Sequence, residues 1–159
     1  MFKSIEEMVT LAQSQNQPLW AVVLAAETEQ SGASPDTIRA RMGERLAIMR
    51  RSADRGIGEP VRSISGISGG SAHQFWSWMQ DGGQPVTGSI LSRAVARAMA
   101  VNEVNAGMGC IVATPTAGSA GILPAVLLTL QEAYDLDDER LIEALLTAGG
   151  IGAVSVRGA

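Results

Sequence analysis

The chain has 159 residues, enough for one domain with a real core, and its formal net charge of −4 argues against a nucleic-acid surface, which needs a basic patch. A single cysteine excludes an internal disulfide framework and fits a reducing, cytoplasmic setting. No apolar run approaches the roughly 20 residues of a membrane span, and Glu6 and Glu7 stand where a signal peptide needs an apolar core. Aromatic residues make up 4% and glycines number 18, so the apolar content is mostly Ala, Leu, Ile, Val and Met, a mix suited to closely packed helices.

In chain order the punctuation is helical. Ser4, with Glu7 three residues on, forms a capping box, and Ile5, Met8, Val9 and Ala12 make the apolar stripe of a first helix. Asn16-Gln17-Pro18 breaks it, and Pro18 suits the first turn of a second helix that carries Leu19, Trp20, Val22, Val23 and Ala26 and stops near Gly32. Ser34-Pro35-Asp36 starts a third helix as N-cap, first position and first-turn acid. Its face of Ile38, Met42, Leu46 and Met49 runs on until Gly56-Ile57-Gly58-Glu59-Pro60 ends it. The arginines at 39, 41, 45, 50, 51 and 55 read as a solvated face of that helix.

Val61 to Ile67 reads as extended or coil. Ser71 offers a cap for a short helix holding Phe75, Trp76, Trp78 and Met79, and Asp81-Gly82-Gly83-Gln84-Pro85 is a turn. Thr87 is the expected cap of the next helix, whose expected core stripe is Leu91, Val95, Ala98, Asn102 and Asn105, with Arg93 and Arg97 marking its polar face. Gly118-Ser119 opens a helix to about Tyr134, and Asp137 caps a last one containing Leu141, Ile142, Leu145 and Leu146. No strand pair or repeat is evident. The expected fold is therefore all-α, a single helical domain of about six to seven helices over residues 1–159. Ala148 to Val156 is small and apolar with no polar tail, which reads as a chain truncated at the C-terminus, inside its domain, with apolar surface left exposed near Ile142 to Val156.

The stretch from Asn102 to Gly121 carries the most chemistry. A helix runs into a loop of small residues, Thr114-Pro115-Thr116-Ala117-Gly118-Ser119, which opens the next helix. Small residues let backbone approach a ligand, and a helix start presents free N–H groups that suit a carboxylate. Thr114, Thr116 and Ser119 place three hydroxyls in six residues beside those groups, able to hold an acid without a fixed positive charge, and Pro115 stiffens the loop. The same composition also serves two helices packed tightly through a Gly/Ala-rich turn. Asn102 and Asn105 read either as a buried structural pair or, for Asn105, as a residue that orients a ligand or the loop; Glu103 reads as a surface or loop-anchoring acid rather than a base. Ser65-Gly66-Ile67-Ser68-Gly69-Gly70-Ser71 is a second loop of this kind, or simply a linker ending in a cap. His73 has the chemistry of a base or ligand and the context of an ordinary half-buried residue. Cys110 reads as a small buried hydrophobe. No metal site is expected in this chain, because iron–sulfur clusters need three or four cysteines.

NEVNAGMGCIVATPTAGSAGILPAVL resembles the motif of the α subunit of bacterial iron–sulfur-dependent L-serine dehydratases, and MFKSIEEMVTLA and SGISGGSA resemble the same family in the same order. The resemblance runs from Met1 to about Gly152. It implies an L-serine ammonia-lyase, converting L-serine to pyruvate and ammonia by cluster-assisted β-elimination. It also implies a [4Fe–4S] cluster in the complete enzyme, no pyridoxal phosphate, and cluster ligands in a later part of the α chain. The partners implied are L-serine, the remainder of the α chain and a separate β subunit, with association into a homo-oligomer also expected. Carried over residue by residue, the resemblance gives Ser68, Gly69 and Gly70, and with them Ser65, a place at the active site, and it supports reading Asn105, Thr114, Thr116, Ala117, Gly118 and Ser119 as substrate-binding positions. Neither the cluster ligands nor a persuasive base is in this sequence, so the isolated chain, lacking the Lewis acid, is expected to be inactive. The two loops are expected to converge on one concave site. The rival readings are a related L-cysteine desulfidase-type lyase and a non-catalytic helical binding or regulatory module.

Overall fold

Short-range chemistry sets most of the helix boundaries. The Ser4 hydroxyl accepts the Glu7 N–H at 3.1 Å, and the Glu7 carboxylate reaches back to the Lys3 N–H at 2.6 Å, so the capping box forms with its return bond one residue early. In this computed structural model, which describes residues 2–114 and 118–157, the elements are α1 (Ile5–Gln15), α2 (Leu19–Ser31), α3 (Pro35–Gly58), α4 (Ser71–Gln80), α5 (Ser89–Ala106), α6 (Ser119–Tyr134) and α7 (Asp138–Arg157). The fold is all-α, as expected, and the described residues include no strand. Pro18 is the N-cap of α2 rather than its first residue. Ser34 accepts the Thr37 N–H at 3.2 Å at the head of α3, and Asp137 accepts the Arg140 N–H at 2.8 Å at the head of α7.

Two compact units emerge from this all-α chain. One combines the residues up to Glu44 with those from Asp137 onward; the other is the continuous segment Arg45–Leu136.

In the first unit α2 packs on both α1 and α7. Phe2, Met8, Ala12 and Val22 form a buried cluster, with Leu19, Val23, Ala26 and Val154 against it. Arg39 stacks its guanidinium 5.3 Å from the Trp20 ring centroid and pairs with Glu139. Ile142, Leu145 and Leu146, expected to lie on exposed surface, are instead buried, Ile142 beside Gly43 of α3; only Ile151 and Val156 of that stretch remain exposed as large apolar residues.

The second unit is built on α5, which packs against α6 and α4. Here the expected core face of α5 is overturned. Leu91, Val95, Asn102 and Asn105 are exposed, and the buried face is Ser92, Ala96, Arg97, Ala100, Val101 and Val104. The reason is size. Ser92, Ala96 and Ala100 leave room for neighbouring backbones, which a row of bulky side chains would hold apart. Arg97 joins that face because its charge is answered. It donates to the Thr129 hydroxyl at 2.8 Å and to Glu132 at 2.6 Å, and its guanidinium lies 5.1 Å from the Trp76 centroid. Thr87 is not the cap of α5, which Gly88 supplies; its hydroxyl instead meets that of Ser92 at 2.7 Å.

Candidate functional site

Between α3 and α4 the chain makes a tight reversal. The Ser63 N–H donates to the Ser68 carbonyl at 2.9 Å and the Gly66 N–H to the Ser63 carbonyl at 2.8 Å, closed by an isolated antiparallel bridge between Arg62 and Gly69. Gly69 has φ +110°, and a β-carbon there would stand 2.2 Å from the Val61 carbonyl oxygen, so only glycine fits. The Ile67 and Ser68 N–H groups donate to the hydroxyls of Ser65 (3.4 Å) and Ser63 (3.3 Å). The Arg62 guanidinium lies over Gly70, where a β-carbon would stand 3.7 Å from its Cζ and Nε, so a fixed positive charge accompanies this loop.

The head of α4 is capped from a distance. One oxygen of Glu103 accepts the N–H groups of Ser71 (2.9 Å) and Ala72 (3.2 Å), and the other accepts the N–H of Gly70 (3.0 Å). Ser71, expected as the cap, is instead the first residue of α4, behind Gly70. The N–H groups of Ile67, Ser68 and Gly70 have internal acceptors. The exposed Ser68 hydroxyl is what the loop offers outward. Glu103 is the loop-anchoring acid that the sequence suggested, but its importance was missed. It is the only acidic residue between Asp81 and Glu132, and that isolation is the signal that could have found it.

The head of α6 meets α5 one residue away. A β-carbon on Gly121 would stand 2.8 Å from the Ala98 carbonyl oxygen and 2.9 Å from the Asn102 Nδ2. Just before it, the hydroxyls of Thr114 and Ser119 lie 2.7 Å apart, half-buried, and Gly118 is exposed. Thr116 and Ala117, with Pro115, lie outside the described residues. Glu103 and Asn102 thus bring the starts of α4 and α6 to adjacent positions of one helix, and Asn105, one turn on, faces solvent.

Two expectations fail nearby. Asn105 is not a buried polar residue, for the reason already given: α5 buries its small-residue face. Cys110 is exposed, not a buried hydrophobe. After α5 the Gly109 N–H folds back onto the Val104 carbonyl at 2.7 Å, with Met108 at φ +60°, and that reversal turns Cys110 outward. His73 fits its ordinary reading, its Nδ1 lying 2.8 Å from the Ile57 carbonyl oxygen.

The model for the family described as "Serine dehydratase alpha chain" matches residues 14–159. The chain belongs to that family. Among its relatives are the Bacillus subtilis (strain 168) protein named "Probable L-serine dehydratase, alpha chain", 34% identical over 97% of this chain and 51% of its own length, and the Peptoniphilus asaccharolyticus "L-serine dehydratase, alpha chain", 30% identical over 97% and 52%. The Streptomyces coelicolor "L-serine dehydratase" is 32% identical over 95% of this chain and 33% of its own length. The chain therefore spans about half the length of the serine dehydratase alpha chains it matches. No solved structure matches it.

An iron–sulfur cluster does not fit the residues of this chain alone. One cysteine cannot supply three or four thiolates, and among the described residues no three His, Cys, Asp or Glu side chains gather to hold a metal. Among the described residues no helix is long and apolar enough to cross a membrane.

Proposed function

We propose that this chain is part of an L-serine dehydratase and supplies the wall of its active site that receives the amino acid's carboxylate. The supporting observation is the Thr114–Ser119 hydroxyl pair, 2.7 Å apart at the first residue of α6. A hydroxyl pair beside a helix start can offer an O–H donor to an incoming carboxylate, and the helix start favours its charge. Thr116, Ala117 and Gly118 complete that loop, and exposed Asn105 lies one turn beyond the helix contact to orient the amino acid. Ser68, with Gly69 and Gly70 behind it, forms the opposing side.

The reaction removes the α-proton and the β-hydroxyl of L-serine, giving an enamine that tautomerises to an imine and hydrolyses to pyruvate and ammonia. This chain holds the substrate so that those two bonds stay aligned, and correct alignment is worth orders of magnitude in rate. The base and the group that assists departure of hydroxide come from the rest of the assembled enzyme.

The test is steady-state kinetics of the assembled enzyme on L-serine and L-cysteine. Ser119→Ala should lower kcat/KM for L-serine about 2- to 10-fold, the cost of one neutral hydrogen bond. Faster turnover of L-cysteine by the wild type would move the chain to the desulfidase-type reading, and no turnover of either would leave a binding module.

A further inference from the structure

We propose that Glu103 is the positioning residue of this site: its carboxylate substitutes for a local N-cap on α4 and so fixes the Ser68–Gly70 loop against the end of α5. The inference rests on the dehydratase reading for what the loop does, and on geometry alone for how the loop is held.

Three N–H groups converge on this one side chain, from Gly70 at 3.0 Å, Ser71 at 2.9 Å and Ala72 at 3.2 Å. Gly70 has no side chain to cap the helix it precedes, and no side-chain cap bond forms at that position. Glu103 lies over thirty residues further along the chain, so this cap is a tertiary contact. Removing it frees the first turn of α4 and the glycines behind it, both at positive φ and without side chains to resist movement. Among the described residues the loop makes one backbone hydrogen bond to α5, the Ile64 N–H on the Ala106 carbonyl at 3.4 Å. Both oxygens of the carboxylate are taken up by these three N–H donors at the start of α4. Glu103 therefore acts through the loop, not on the reacting atoms.

The test has two arms. Amide hydrogen exchange on this chain should show Gly70, Ser71 and Ala72 losing protection together in Glu103→Ala, by about tenfold or more, the loss of hydrogen bonds to a charged acceptor. Val104 and Leu128 amides should keep theirs. Glu103→Gln, the gentler variant, retains one carbonyl oxygen for two of the donors and turns an NH2 toward the third, so protection should fall at Gly70 alone. Unchanged protection at all three amides in both variants overturns the anchoring. In the assembled enzyme, both variants should raise KM for L-serine more than they lower kcat, Gln less than Ala, with an unaltered pH profile. A collapse of kcat with a lost limb of the pH profile would make Glu103 a base and overturn the proposal, as would loosened amides with unchanged KM. A wild type that does not act on L-serine sinks the dehydratase reading and leaves the exchange arm to decide the anchoring.

Discussion

Asn102 of α5 lies directly against Gly121 of α6: a β-carbon on that glycine would stand 2.9 Å from the asparagine Nδ2 and 2.8 Å from the Ala98 carbonyl oxygen. The two helices meet through bare backbone, and the start of α6 is where the hydroxyl pair sits. Gly121→Ala should push the helices apart and cost about 1–3 kcal/mol, the usual range for overpacking. Thermal unfolding followed by circular dichroism measures it; an unchanged midpoint would show that the contact yields without strain.

Arg97 should prove hard to replace. It is 9% exposed and holds Thr129, Glu132 and the Trp76 face at once. Arg97→Ala should destabilise by about 2–4 kcal/mol, since it strands a buried hydroxyl and breaks a partly buried ion pair. Arg97→Lys should recover less than half, because an ammonium cannot fork to two acceptors and stack as well. Urea unfolding at equilibrium gives both numbers, and full rescue by lysine would reduce the site to its charge.

The outward face of α5 makes the opposite prediction. Leu91 is 55% exposed and Val95 43%. Lysine at either position should change stability by no more than about 0.5 kcal/mol, as at ordinary surface sites. If they were core residues, the loss would be several times larger. Denaturant midpoints of the two variants separate these cases.

Asn105→Ala should divide stability from function. The side chain is exposed, so the unfolding midpoint should stay within about 0.5 kcal/mol of the parent. KM for L-serine in the assembled enzyme should rise about 2- to 10-fold if Asn105 contacts substrate through one neutral hydrogen bond. A large fall in the midpoint would return Asn105 to a structural role.

The helix boundaries were legible where the determinants are local. Ser4, Ser34 and Asp137 each cap within three residues of themselves, and those contacts follow from spacing alone. The face of α5 was not legible, because periodicity weighs Leu91 and Val95 heavily and counts Ala96, Ala100 and Ser92 for little. Small residues decide packing by what they admit, and that depends on partners far away in sequence. Arg97 misled in the same way, since its burial needs Thr129, Glu132 and Trp76. At the candidate site the loops themselves stood out by composition. The tie that holds one of them did not, because Glu103 and Gly70 lie far apart in the chain and only folding brings them together.

The division of the chain also orders its birth. The unit bearing Glu103 and the hydroxyl pair is a continuous run, Arg45–Leu136, whereas the other is assembled from two separated stretches. As a polypeptide leaves the ribosome, the continuous unit has all its parts before Asp137 has been made. The other must hold its first stretch open until α7 emerges, with the Met8 and Val22 cluster still lacking Val154. Vectorial synthesis therefore delivers the candidate site first and leaves an apolar half-core waiting, the stage at which a nascent chain is most exposed to chaperones and to aggregation.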